Sequence, residues 1–116
     1  MAAKTPTPVI LHPGLIALSF FEDPVRRLLR LWRDGAIRPQ VTRPLLTATL
    51  ETLKECGLEE DALERWALWL TDPRSSDYHR LPPADLKGSL KELRGAVPAA
   101  VLVEGVDGAS ELVARI

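Results

Sequence analysis

The sequence predicts an α/β fold: a short parallel sheet covered by helices on both faces, in three α/β/α layers. Three observations point to it. Two short apolar runs, Val9-Ile10-Leu11 and residues 99–103, have the length of buried strands. The segments between and after them carry apolar residues at helical spacing. The resulting order of strand, helices, strand, helices, strand, helix is that of parallel strands joined by helical crossovers.

The elements follow in order. Residues 1–7 are small and polar and read as a flexible head, before a single domain over 8–116. Val9-Ile10-Leu11, bounded by Pro8 and Pro13, is too short for a helix and is rich in β-branched residues. Pro13-Gly14 turns the chain into an apolar stretch over 15–21, expected as a short helix under the sheet. Asp23-Pro24 is a helix start, with Asp as N-cap and Pro at the first helical position. Val25, Leu28, Leu29 and Trp32 form its apolar stripe and Gly35 closes it. Residues 36–41 are a strand that Pro39 shortens or confines to an edge. Thr42 caps the next helix, which buries Leu45, Leu46, Leu50 and Leu53 and stops at Gly57.

Glu59-Glu60-Asp61 places negative charge where a helix N-terminus favours it, and Leu63, Trp66, Trp69 and Leu70 supply that helix's apolar face. Residues 72–83, rich in Pro, Ser and charge, read as the least ordered internal stretch. Residues 84–93 form a helix that Gly88 weakens by about 1 kcal/mol relative to Ala. After the strand at 99–103, Gly105 and Gly108 bracket a turn into a final helix from 109 onward. There is no internal repeat.

Composition excludes several classes. A chain of 116 residues, 46% hydrophobic and 27% charged, is globular rather than disordered or fibrous. Net charge of −1 gives no global attraction to nucleic acid or a membrane surface. No apolar run approaches the roughly 20 residues of a membrane span, and no signal-like segment opens the sequence. The lone Cys56 can form neither an internal disulfide nor a Cys-rich zinc site, which makes the cytoplasm the default compartment. There is no Asn and one Gln, Gln40, a bias shared by thermophile proteins and GC-rich genomes.

The stretch from Val9 through His12-Pro13-Gly14 to Leu18 resembles the opening of PIN-domain proteins, where an apolar strand ends in Asp-Thr-Asn or a close variant. Pro24 to Gly35 is similar to the helix that follows in the toxin-like branch, and Val41-Thr42-Arg43-Pro44-Leu45-Leu46 resembles the Val-Ser-x-x-Leu-Leu segment opening the third helix. Ala100 to Gly105 is similar to the late strand that leads to the last acidic residue. The resemblance covers most of the chain, more closely before Leu53 than after Asp72. It implies a PIN-like fold and descent from ribonucleases that hold Mg²⁺ or Mn²⁺ in a cluster of carboxylates. Such clusters suit hard cations, which take oxygen ligands and activate water.

The departures set the functional expectation. His12 stands where the family has its first Asp, and Ala48 where it has the Glu of the third helix; Thr42 replaces the preceding Ser. Glu51 lies three positions past Ala48, roughly 300° round the helix, and faces elsewhere. Asp85 and Asp107 are the nearest late acids, and Ser89 equally falls where one is expected. The resemblance therefore implies a vestigial pocket of His12, Thr42 and Ala48, with no metal and no catalytic residue, in a protein that acts by binding itself, another protein or RNA. The alternative is an active Mg- or Mn-dependent ribonuclease drawing on Glu51, Asp72, Asp77, Asp85 or Asp107.

Two surface features carry their own readings. Arg26, Arg27, Arg30, Arg33, Arg38 and Arg43 fall in eighteen residues with one acid, a net charge of +5. Arg26, Arg30 and Arg33 share one helix face and are candidates for phosphate contact. The plain alternative is neutralisation by residues 51–72, which carry a net charge of −5. A lone His12 is equally read as capping its strand, and His79 has no fixed spacing to it. An uncovered Trp face would serve as a dimer surface.

Overall fold

A computed structural model describes residues 5–116. The elements are β1 (Thr7–Leu11), α1 (Leu15–Leu18), α2 (Asp23–Arg33), β2 (Ile37–Val41), α3 (Arg43–Glu55), α4 (Glu60–Thr71), β3 (Asp77–Tyr78), α5 (Leu86–Ala96), β4 (Val101–Val103) and α6 (Val106–Arg115). The four strands form one parallel sheet in the order β3-β2-β1-β4, flanked by helices. Residues 1–4 of the expected head lie outside the described residues. Thr7 leaves the head for the sheet, its N–H donating to the Ala36 carbonyl at 3.0 Å.

The alternation of β1 divides the core between the two faces of the sheet. Val9 and Leu11 pack with Leu15, Val25, Leu28, Trp32 and Leu112. Ile10, between them, packs with Leu45 of α3 and Leu93 of α5. All three tryptophans meet in one cluster: Trp32 stacks on Trp69 at 4.2 Å and 7°, and Trp66 lies 5.4 Å from Trp69. The buried Trp32 indole N–H donates to the Ser75 carbonyl at 2.9 Å, tying α2 to the segment after α4.

Five expectations about elements are corrected. Pro39 does not put β2 at an edge. β2 lies between β1 and β3, and β3 joins it only at Gln40 and Val41, past the proline that lacks an N–H. The loop over 72–83 contains that edge strand, and Ser76 just before it is buried. The helix at 15–21 stops at Leu18, because the Ser19 N–H and hydroxyl both turn back to the Ile16 carbonyl at 3.0 and 2.6 Å; Phe20 and Phe21 are left exposed. The last helix begins at Val106 rather than at residue 109, with Gly105 at its cap and Gly108 inside it, and Glu22 replaces Asp23 as the N-cap of α2.

Gly35 and Gly57 close α2 and α3 as their positions predict. Both have positive φ, 79° and 95°. Each sits in the same double hydrogen-bonded stop. Gly35 and Ala36 donate to Trp32 and Leu31, while Gly57 and Leu58 donate to Lys54 and Leu53. No helix among the described residues is long and apolar enough to cross a membrane.

A side chain at either glycine meets no neighbour within 4 Å, so its cost is the left-handed backbone alone. Gly35→Ala should therefore lower unfolding free energy by roughly 1–2 kcal/mol in urea titrations. An unchanged urea midpoint would show that this stop is not strained by a Cβ.

Candidate functional site

In an open parallel sheet, ligands meet the chain outside the carboxyl ends of the strands, beside the point where connections diverge. Here that point is β1, which has β2 on one side and β4 on the other. The residues following the strands are His12, Thr42, His79 and Glu104. His12 is exposed and its backbone N–H donates to the Val103 carbonyl at 3.0 Å, so it rests against the end of β4. Its ring Nδ1 accepts the Gly14 N–H at 3.2 Å. The imidazole thus closes the Pro13-Gly14 turn much as a short polar side chain would.

Thr42 is the N-cap of α3, its Oγ1 accepting the Leu45 N–H at 3.3 Å. The same oxygen lies 2.5 Å from Ser89 Oγ on α5, and both residues are buried. A buried hydroxyl pair of this kind joins the start of α3 to the first turn of α5. Ala48, half-buried, lies five residues into α3, about 8 Å from the helix start at 1.5 Å per residue.

The hydroxyl pair forms the floor of a cavity of 510 Å³ between β2, β3 and the starts of α3 and α5. Arg43, Tyr78 and Arg80 supply its other polar walls, and Pro44, Leu81 and Pro82 its apolar ones. Sequence reasoning missed Tyr78 and Arg80, which sit in a segment read as loose. The signal for Arg43 was present: it follows the Thr42 cap directly, although it counted there only as one of a basic run.

The acids do not converge. Asp85 is the N-cap of α5 and accepts the Gly88 N–H at 2.7 Å. A Cβ on Gly88 would stand 3.0 Å from that carboxylate oxygen and 3.2 Å from the Ala84 Cβ, a tight fit that would press on the cap. Asp72 pairs with Arg74 at 3.0 Å and Asp77 with Arg38 at 2.9 Å. Glu51 is exposed on α3, and Asp107 is exposed in the first turn of α6. Asp77 belongs to one edge strand and Asp107 follows the other, three strand spacings or about 14 Å away, whereas ion–oxygen distances are about 2–2.6 Å. Among the described residues no three His, Cys, Asp or Glu side chains are grouped to hold a metal ion.

A polar clasp stands behind the cavity. Arg38 donates to Asp77 and to the carbonyls of Pro73, Arg74 and Ser76. Gln40, buried and the chain's single Gln, donates to Asp77 at 2.9 Å and to the Arg38 carbonyl at 3.1 Å, and its Oε1 lies 2.7 Å from His79 Nε2. Arg38 therefore leaves the basic run expected at the surface. Arg26 and Arg27 pair with Asp23, while Arg30 and Arg33 have no ion pair among the described residues. None of the ion pairs joins the basic segment to the acidic one at 51–72.

Burial raises the Asp77 pKa, but hydrogen bonds from Gln40 and Arg38, with the Arg38 and His79 charges, outweigh it and hold the carboxyl below its usual 3.8. Asp72 is also lowered, chiefly by its hydrogen bond from Arg74. Comparison with known protein families, curated proteins and solved structures gives no significant match.

A carboxyl whose pKa is lower in the folded state stabilises the fold above its unfolded value, and that stabilisation is lost as pH falls through the folded value. The urea midpoint should therefore drop as pH falls from about 5 to about 2.5, and Asp77→Asn should flatten that drop. An Asp77→Asn profile parallel to the wild type would remove the clasp from the stability of the fold.

Proposed function

We infer that this chain is a PIN-like domain that no longer assembles a metal-dependent ribonuclease centre and acts by binding at the carboxyl edge of its sheet. The observation that carries the reading is Ser89, which falls where the family resemblance expects an acid and is buried with its hydroxyl against that of Thr42. His12 supports it, since its ring is occupied with the Gly14 amide. Asp72, Asp77 and Asp85 support it too, each already bonded to a protein donor. Phe21 and Leu68, 74% and 70% exposed, offer apolar surface for a protein partner or a second copy.

The ribonuclease reading keeps one observation in its favour. Glu104 and Asp107 line a shallow depression of 430 Å³ past the end of β4, close in the fold to His12. Two carboxylates and an imidazole already bonded to the backbone fall short of the three or four carboxylates of the family's centre.

Incubating the protein with single-stranded RNA and millimolar Mn²⁺ or Mg²⁺ decides between the two. No EDTA-sensitive cleavage is the expected outcome. Cleavage that EDTA stops, and that Asp107→Ala or Asp85→Ala abolishes, would replace the binding reading with the enzyme.

A further inference from the structure

The cavity at the starts of α3 and α5 has a chemistry of its own. Arg43 and Arg80 both line it, and neither has an ion pair or a side-chain hydrogen bond among the described residues. This contrasts with Arg38, which bonds Asp77 and three carbonyls, and with Arg74, which pairs with Asp72. No carboxylate lines the cavity, and the adjacent Asp85 is turned onto the Gly88 N–H.

The hydroxyl floor adds a donor. Thr42 and Ser89 carry two hydroxyl protons between them and share a single bond, so one proton is left without an acceptor among the described residues. Thr42 Oγ1 already accepts the Leu45 N–H, and its hydroxyl lines the cavity together with that of Ser89. Two free guanidiniums, a spare hydroxyl proton and the Tyr78 hydroxyl make a wall of donors with no anion to receive them. At 510 Å³ the space matches a small-molecule site. Its apolar side, Pro44 with the ring of Tyr78, suits a planar ring.

We propose that this cavity binds the terminal phosphate of a small phosphorylated molecule of mononucleotide size, with Arg43 and Arg80 gripping the phosphate oxygens and the Thr42–Ser89 pair donating to them. The inference rests on the reading that the chain acts by binding, and it names the ligand class. A terminal phosphate carries close to two negative charges at neutral pH, which matches two guanidiniums; an internal phosphodiester carries one.

Calorimetric titration with 5′-adenosine monophosphate, adenosine, inorganic phosphate and a short RNA without terminal phosphates tests it. The monophosphate should bind at least about tenfold more tightly than adenosine, and inorganic phosphate should compete with it. Arg43→Gln and Arg80→Gln should each weaken it, and the double variant should lose about tenfold or more without a change in melting temperature. Arg30→Gln with Arg33→Gln, outside the cavity, should leave it unchanged. Equal affinity for monophosphate and adenosine, tighter binding of the RNA, or a loss that follows Arg30 and Arg33 would each overturn the proposal. EDTA-sensitive RNA cleavage alongside intact phosphate binding would remove the wider functional reading and leave this pocket. No cleavage and no phosphate binding would remove the pocket alone.

Discussion

The carboxyl edge of the sheet depends on the hydroxyl bond between Thr42 and Ser89. Thr42 follows β2 and caps α3, and Ser89 sits a turn into α5, so one buried polar contact ties together two helices that approach from different crossovers. Either hydroxyl left unbonded at that depth would cost about 1–3 kcal/mol, which is why the pair is self-consistent only when both are present. The electrostatic contrast is just as important. A carboxylate at Ser89, where the resemblance expects an acid, would lie charged and buried against the Thr42 oxygen unless a cation lay beside it. The neutral Ser89 hydroxyl instead bonds Thr42 with no ion, and on the proposed reading this replacement of an acid frees the fold from a metal.

A second constraint stands behind the first. β3 is two residues long and pairs with β2 at two positions, too few backbone bonds to fix a strand at an exposed edge. Side chains supply the rest. Arg38 reaches across to the Asp77 carboxylate and three carbonyls, and Gln40 links Asp77 to His79. Tyr78 and Arg80 interleave with these clasped residues, so the outer wall of the cavity is held by the same network. Trp32 completes the anchoring from the other side through its bond to Ser75.

Much of this architecture is legible in the sequence because it is written in local chemistry. Val9-Ile10-Leu11, the Thr42 cap and the helix stops at Gly35 and Gly57 each carry a nearby physical signal, and each lies where the sequence puts it. The elements that escaped depend on contacts distant in sequence. Asp77-Tyr78 has no strand signature and becomes one only through Arg38 and Gln40, some 37 to 39 residues earlier. Arg38 reads as surface charge until its partners are known. Ser89 stands out in the sequence only through the family resemblance, and its partner emerges when α5 brings it to Thr42, 47 residues away. Phe20 and Phe21 look like core and are exposed, since Ser19 ends the helix before them.

If this edge holds no divalent ion, as proposed, a thermal melt of the wild-type chain is the same with and without millimolar Mn²⁺. A micromolar site would stabilise the native state by about 4 kcal/mol at that concentration, raising the midpoint by more than about 10 °C. The prediction is an unchanged midpoint for the wild type and a raised one for a variant carrying His12→Asp, Ala48→Glu and Ser89→Asp. A wild-type midpoint that climbs with Mn²⁺ and returns with EDTA would contradict it.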